Sequence, residues 1–239
     1  MGMKKTRNTQ NKKSGTGKPN WNRTIFVIFA VLFAVGMVGG YLLPVFLAPS
    51  AAAAGDVVVI EYTIYDEWGR PVLTTSQDLF NTVIESQNMV FLTQPLEMPI
   101  GTAIDKASLA AVPVYPALEG FAGFGILGFE LDALSAGLVG IKQGEMQTIE
   151  FDYGGNSLQM NLSAEAFAGI VGANFSMMEV GDQIPVGLAT EPVIQVDESA
   201  QEIQVPIRTA TIVYKGEDFL VVRYGYGSID VVITQLGAA

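Results

Sequence analysis

Neither cysteine nor histidine occurs anywhere in the chain. That excludes thiol nucleophiles, Ser-His and Cys-His catalysis, disulfide staples and Cys/His zinc sites. It leaves the compartment open, because oxidising surroundings permit disulfides without requiring them. Basic residues are scarce as well: 13 Lys and Arg stand against 24 Asp and Glu, a formal net charge of −11. Their placement is uneven. Residues 1–54 hold Lys4, Lys5, Arg7, Lys12, Lys13, Lys18 and Arg23 with no acid, a net of +7. The rest of the chain holds 6 basic groups and all 24 acids, a net of −18. A phosphate backbone would be repelled there, so no nucleic acid is expected as a partner. Asp66-Glu67 and Asp197-Glu198 lack calcium-loop spacing and read as solvated loop charges. The glycines at 120, 123, 125 and 128 form no dinucleotide fingerprint. No metal and no cofactor is expected.

What the chain does have is a long apolar run. Thr24 to Ala48 is 25 residues without a charge, enough at about 1.5 Å per residue to cross a hydrocarbon core of about 30 Å. Two readings fit: a retained transmembrane anchor, or a signal peptide cleaved in the small-residue stretch Pro49-Ser-Ala-Ala-Ala-Ala54. Apolar length favours the anchor, since signal cores run about 7–15 residues. The basic residues precede the run, so the expected location is the cell membrane, single-pass, with a cytoplasmic N-terminus and an extracytoplasmic main domain. Residues 1–23 are then a disordered basic tail.

Beyond the run, two periodicities alternate. Val58, Ile60, Tyr62 and Ile64 share one face of a strand. Asp66-Glu-Trp-Gly-Arg-Pro71 signals a turn, with a second strand from about Val72. Residues 76–124 show little period, and 107–125 are rich in Ala, Gly and Pro. Leu131, Leu134, Leu138 and Ile141 then recur at three- and four-residue steps, predicting a helix that begins near Phe129. Gly140 and Gly144 bracket a reversal that calls for positive φ. In the next strand Ile149 and Phe151 face one way, Thr148 and Glu150 the other. Ser163 is a fitting N-cap for a short helix to Ile170. Strands follow from Met178-Glu-Val-Gly-Asp-Gln-Ile-Pro-Val186. Ile203–Tyr214 and Asp218–Tyr224 form a hairpin about Lys215-Gly216-Glu217, and Ser228–Leu236 gives a final strand. Asn161-Leu-Ser163 and Asn174-Phe-Ser176 are glycosylation sequons.

Two segments carry a family likeness. Gly55-Asp-Val-Val-Val-Ile-Glu-Tyr-Thr-Ile-Tyr-Asp-Glu-Trp-Gly-Arg-Pro-Val-Leu-Thr-Thr75 resembles the opening of FKBP-type peptidyl-prolyl isomerases. Gly125 to Phe151 resembles their glycine–aromatic–glutamate helix and the glycine turn after it. The strands of the C-terminal half resemble the SlyD-type branch, in which an all-β insert-in-flap domain precedes the last strand. The resemblance implies an α+β fold: an antiparallel half-barrel wrapped on one short helix, with a second small β domain and a preceding transmembrane helix. The implied divisions are a tail at 1–23, an anchor at 24–48 and an isomerase-like domain at 55–154 with an insertion at 102–124. An insert-like domain at 155–227 and a final strand at 228–239 complete it.

The resemblance also implies a site. Tyr62 matches the pocket tyrosine, Ile126 the residue whose backbone amide holds the ligand, Phe129 the aromatic floor, and Tyr153 the tyrosine of an "A-Y-G" motif. Val72 and Leu73 fall at substrate-binding positions. Tyr62 and Phe129 are equally at home as core packing, and for Val72, Ile126 and Tyr153 core packing is the commoner role. The chain departs from the pattern in three places: Leu73 replaces an acid, Val72 replaces a phenylalanine, and Gly128 to Gly144 is four residues longer than usual. Such a site is degenerate. Prolyl isomerisation suits a chain without histidine or cysteine, because a dry apolar pocket favours the twisted amide without a nucleophile.

Three functions follow as expectations. The first is a membrane-anchored extracytoplasmic isomerase and chaperone, acting on X-Pro bonds of unfolded or proline-containing polypeptide clients. The second is a catalytically silent ectodomain for protein–protein binding, its pocket filled or covered. The third is a structural envelope β-domain.

Overall fold

The computed structural model describes residues 25, 28–37, 50–86, 88–117, 120–155, 157–171, 174–188 and 205–237. Residues 1–48 and 49–239 form two units, and the sheets belong to the second.

Strand β1 (Val57–Asp66) is the axis of the first sheet. Its β-branched and aromatic residues alternate as a pleated strand requires, and Val58, Ile60, Tyr62 and Ile64 are buried. The turn after Asp66 is held by its carboxylate, which accepts from the backbone amides of Trp68 and Arg70. The chain returns as β2 (Pro71–Thr74). Helix α1 (Gln77–Glu85) begins where the Ser76 hydroxyl accepts from Leu79 N. Strands β3 (Phe91–Thr93) and β4 (Leu96–Pro99) complete this stretch.

The Ala-, Gly- and Pro-rich stretch is strand too: β5 (Leu109–Val112), β6 (Val114–Tyr115) and β7 (Phe121–Leu127). Helix α2 (Gly128–Gly137) follows directly. It buries Leu134, with Leu138 just beyond its end. Gly140 and Gly144 lie at φ 88° and 81°, the positive region the reversal demands. Then come β8 (Met146–Glu150), β9 (Gln159–Ser163), α3 (Ala164–Val171), a 3-10 turn (Phe175–Met177) and β10 (Gln183–Gly187). Strands β11 (Val205–Lys215), β12 (Phe219–Arg223) and β13 (Tyr226–Gly237) end the unit.

The strands form two sheets. The first has the order β6-β3-β2-β1-β13-β8, with β4 also on β1. The second has the order β5-β7-β11-β12-β9, with β10 on β11. Both are mixed, since β2 and β3 run parallel in one, and β7 and β11 in the other. One core spans both: Tyr62, Leu73 and Ile229 of the first sheet cluster with Phe124, Ile126 and Ile207 of the second. A smaller core of Phe167, Ile184, Ile212 and Val222 lies under α3.

Two expectations are corrected here. The fold is mostly β in two mixed sheets, not an α+β half-barrel on one helix. The reason lies in residues 107–127: they look irregular in sequence, yet β5 and β7 supply two strands of the second sheet and lead into α2. The transmembrane anchor is the other correction. Among the described residues no helix is long and apolar enough to cross a membrane. Among the described residues the single-pass membrane location has no helix to carry it. The rest of 24–48 and the tail 1–23 lie outside the described residues.

Candidate functional site

Five of the six residues singled out from sequence meet in one place. Tyr62, Val72, Leu73 and Ile126 belong to the main buried cluster, and Tyr153 packs against it. Phe129 sits at the start of α2 and meets Tyr153 edge-on, ring centroids 4.7 Å apart. Val72 and Leu73 are wholly buried.

A buried ion pair lies beside Tyr153. Arg208 of β11 enters from the second sheet and forms a two-pronged pair with Glu130 of α2: Nη2 to Oε1 at 2.7 Å and Nη1 to Oε2 at 2.8 Å. Both side chains are fully buried. Arg208 also donates to the carbonyls of Gly125 and Tyr224. Glu130 accepts further bonds from Leu127 N and the Tyr153 hydroxyl, each at 2.9 Å. The Tyr153 hydroxyl in turn accepts from Tyr226 N at 2.6 Å. The Tyr226 ring lies 4.0 Å below the Arg208 guanidinium, a cation–π contact.

These surroundings set the ionisation of each group. Burial pulls Arg208 down, but the touching Glu130 carboxylate, with Tyr226 and Tyr153, turns the net shift upward, so the guanidinium stays charged. Burial, then the Glu130 charge, pushes Tyr153 up. Burial raises Tyr226, with Arg208 opposing. Burial pushes Tyr62 up to about 12, and the nearby Thr93 hydroxyl offsets little of this. Among the described residues no group, Thr93 included, lies in hydrogen-bonding geometry to the Tyr62 hydroxyl. At neutral pH all three tyrosines are therefore neutral, and every hydrogen of the Arg208–Glu130 pair that is described points at protein. Such a cluster ties β11 to α2 and to the start of β13.

Tyr62 lines a cleft of about 260 Å³ on the first sheet, and a larger open space lies at the junction of the sheets. A groove of about 520 Å³ is lined by Arg70, Ile84, Asn88, Met89, Met178, Gly181, Asp182 and Gln183. Its polar rim is already paired. Arg70 binds Asp66 at 2.7 Å, the Gly181 carbonyl at 2.9 Å and Thr211 Oγ1 at 2.9 Å. Gln183 Oε1 accepts from Met89 N, and the Asp182 carboxylate accepts from Glu179 N. What remains for a ligand is the apolar part. Ile84 is 47% exposed, and Met177 and Val180, the chain neighbours of Met178 and Gly181, are 73% and 62% exposed.

Sequence reasoning passed over this groove. Its only signal was the Met177-Met178 pair before a strand; Ile84 and Met89 lay in the unpatterned 76–124 region, and Arg70 read as part of a turn. Among the described residues no group of three or more Asp and Glu is placed to hold a metal ion. Neither a protein-family model nor a curated protein matches this chain. The terms isomerase and FKBP-like, taken from the resemblance, are thus corrected: the fold they imply differs, and no match supports them.

Proposed function

We propose that this protein is a polypeptide-binding module, holding apolar segments of unfolded or proline-containing client proteins without chemically altering them. The observation that carries this reading is the junction groove with its methionines. Met89 and Met178 are long, unbranched and polarizable, so they adapt to side chains of varied shape, as promiscuous binding surfaces require. Ile84, Met177 and Val180 extend the apolar surface beyond it. Arg70, Asp182 and Gln183 are held by internal bonds, which fixes the polar rim beside the adaptable methionine side chains. Catalysis is not needed for such a role, and the filled space around Glu130 and Arg208 is consistent with its absence.

The test is aggregation of a chemically denatured client diluted into buffer with the full chain. The wild-type protein suppresses light scattering. Met178→Glu and Met89→Glu weaken capture about tenfold, because a carboxylate in an apolar groove repels an apolar segment. Equal suppression by wild type and both variants would overturn the groove. Acceleration of proline-limited refolding by the wild-type chain would overturn the non-catalytic reading.

A further inference from the structure

Strand β8 ends the first sheet. Its register with β13 is unbroken from Met146↔Val232 to Glu150↔Ser228. Just beyond, Phe151 N donates to the Gly227 carbonyl at 3.0 Å. Main-chain bonding alternates along an antiparallel strand, so the odd-numbered residues bond to β13. Met146, Thr148 and Glu150 then turn their amides and carbonyls to the other side. All three are exposed, and among the described residues none of these groups has a main-chain partner. The Thr148 carbonyl is met only by the side chain of its neighbour Gln147, at 3.0 Å.

Natural sheets guard such edges with lysine, proline or a bulge. Here there is none: β8 reads Met-Gln-Thr-Ile-Glu. Its two faces differ in chemistry. Residues directly opposite each other share a face, so one face carries the rows Glu61–Val232–Met146, Thr63–Asp230–Thr148 and Tyr65–Ser228–Glu150. That face bears three carboxylates and no basic residue, and among the described residues no Lys or Arg forms an ion pair with any of them. A cleft of about 260 Å³ opens on it, where Leu79, Met146 and Val232 lie beside Glu61 and Asp230. The opposite face carries Gln147 and Ile149.

We infer that the free edge of β8 accepts an extended polypeptide as an added strand, and that this strand alternates basic and apolar residues. Main-chain bonds to Met146, Thr148 and Glu150 hold it, displacing the Gln147 amide from Thr148. Its basic side chains lie over the carboxylate face, their aliphatic stems against Met146 and Val232. Its apolar side chains extend the row of Ile149. This edge shares no residue with the junction groove, so the two sites stand or fall separately.

The test measures binding of an extended peptide of alternating lysine and valine to the full chain by fluorescence anisotropy. The alternating peptide binds, while a scrambled peptide of the same composition and an alternating glutamate–valine peptide do not. Asp230→Asn and Glu150→Gln each weaken it about threefold, and together about tenfold. Asp218→Asn, an exposed acid of the second sheet, leaves it unchanged. Thr148→Pro abolishes binding, because it removes an edge amide that bonds nothing in the fold. Peptides N-methylated on alternate amides provide a check on the unaltered protein: one methylated set fails to bind and the other succeeds. Met178→Glu has no effect. Equal binding by the scrambled peptide, by spermine or by both methylated sets would overturn strand addition. So would unchanged binding to a folded Thr148→Pro chain.

Discussion

Tyr62 is a buried side chain whose hydroxyl has no partner. Such a group costs about 1–3 kcal/mol relative to water. Tyr62→Phe should therefore raise stability by about 1 kcal/mol, read as a shift in the urea midpoint. The tyrosine also makes stability depend on pH. Its folded pKa, about 12, lies above the ordinary 10.0. The unfolded chain loses this proton first, so the contribution is intact below pH about 10 and is lost as pH rises through about 12. Tyr62→Phe should flatten the alkaline fall in that window; an unchanged slope together with lower stability would contradict this assignment. The inward direction of Tyr62 was legible from its alternation with Val58, Ile60 and Ile64. The partners of Glu130 were not, since Arg208 lies 78 positions away and no local period connects them. A pair closed through tertiary structure leaves no trace in residue spacing.

Among the elements, those with a strong period stand where the sequence puts them. Helix α2 begins at Gly128, one residue from the expected start, and β13 covers the expected final strand. The Ser163 hydroxyl caps α3 by accepting from Ala166 N at 3.1 Å. The elements that were missed are short or made of small residues. Helix α1 has only nine residues, and β5 to β7 run through Ala, Gly and Pro. Glycine is required there by packing. A Cβ on Gly128 would fall 1.9 Å from the Asp105 carbonyl oxygen. That oxygen already accepts from the Ser108 hydroxyl at 2.6 Å, and Gly128 N donates to the Ser108 carbonyl at 2.7 Å. The loop is thus pinned against the start of the helix. Gly128→Ala should cost about 3 kcal/mol, seen as a lower thermal midpoint. A loss below about 0.5 kcal/mol would mean that the loop yields.

On the scale of the whole molecule, polar contacts join the two sheets, Arg223 of β12 with Glu67 of the β1–β2 turn among them. Glu130 and Arg208 form another, and Asp66, Arg70, Thr211 and Gln183 a third. These contacts come from strands far apart in sequence, which is why reading the chain in order suggested separate β pieces. The junction they create also creates the methionine-lined groove, so the proposed binding surface belongs to the assembled unit and not to either sheet alone. The most direct test is site-specific photocrosslinking of the full chain to a denatured client. A photoreactive residue at Ile84 or Met177 should capture the client efficiently. One at Tyr214, equally accessible on β11 but outside the groove, should capture about tenfold less. Equal capture from all three positions would contradict a groove-centred binding site.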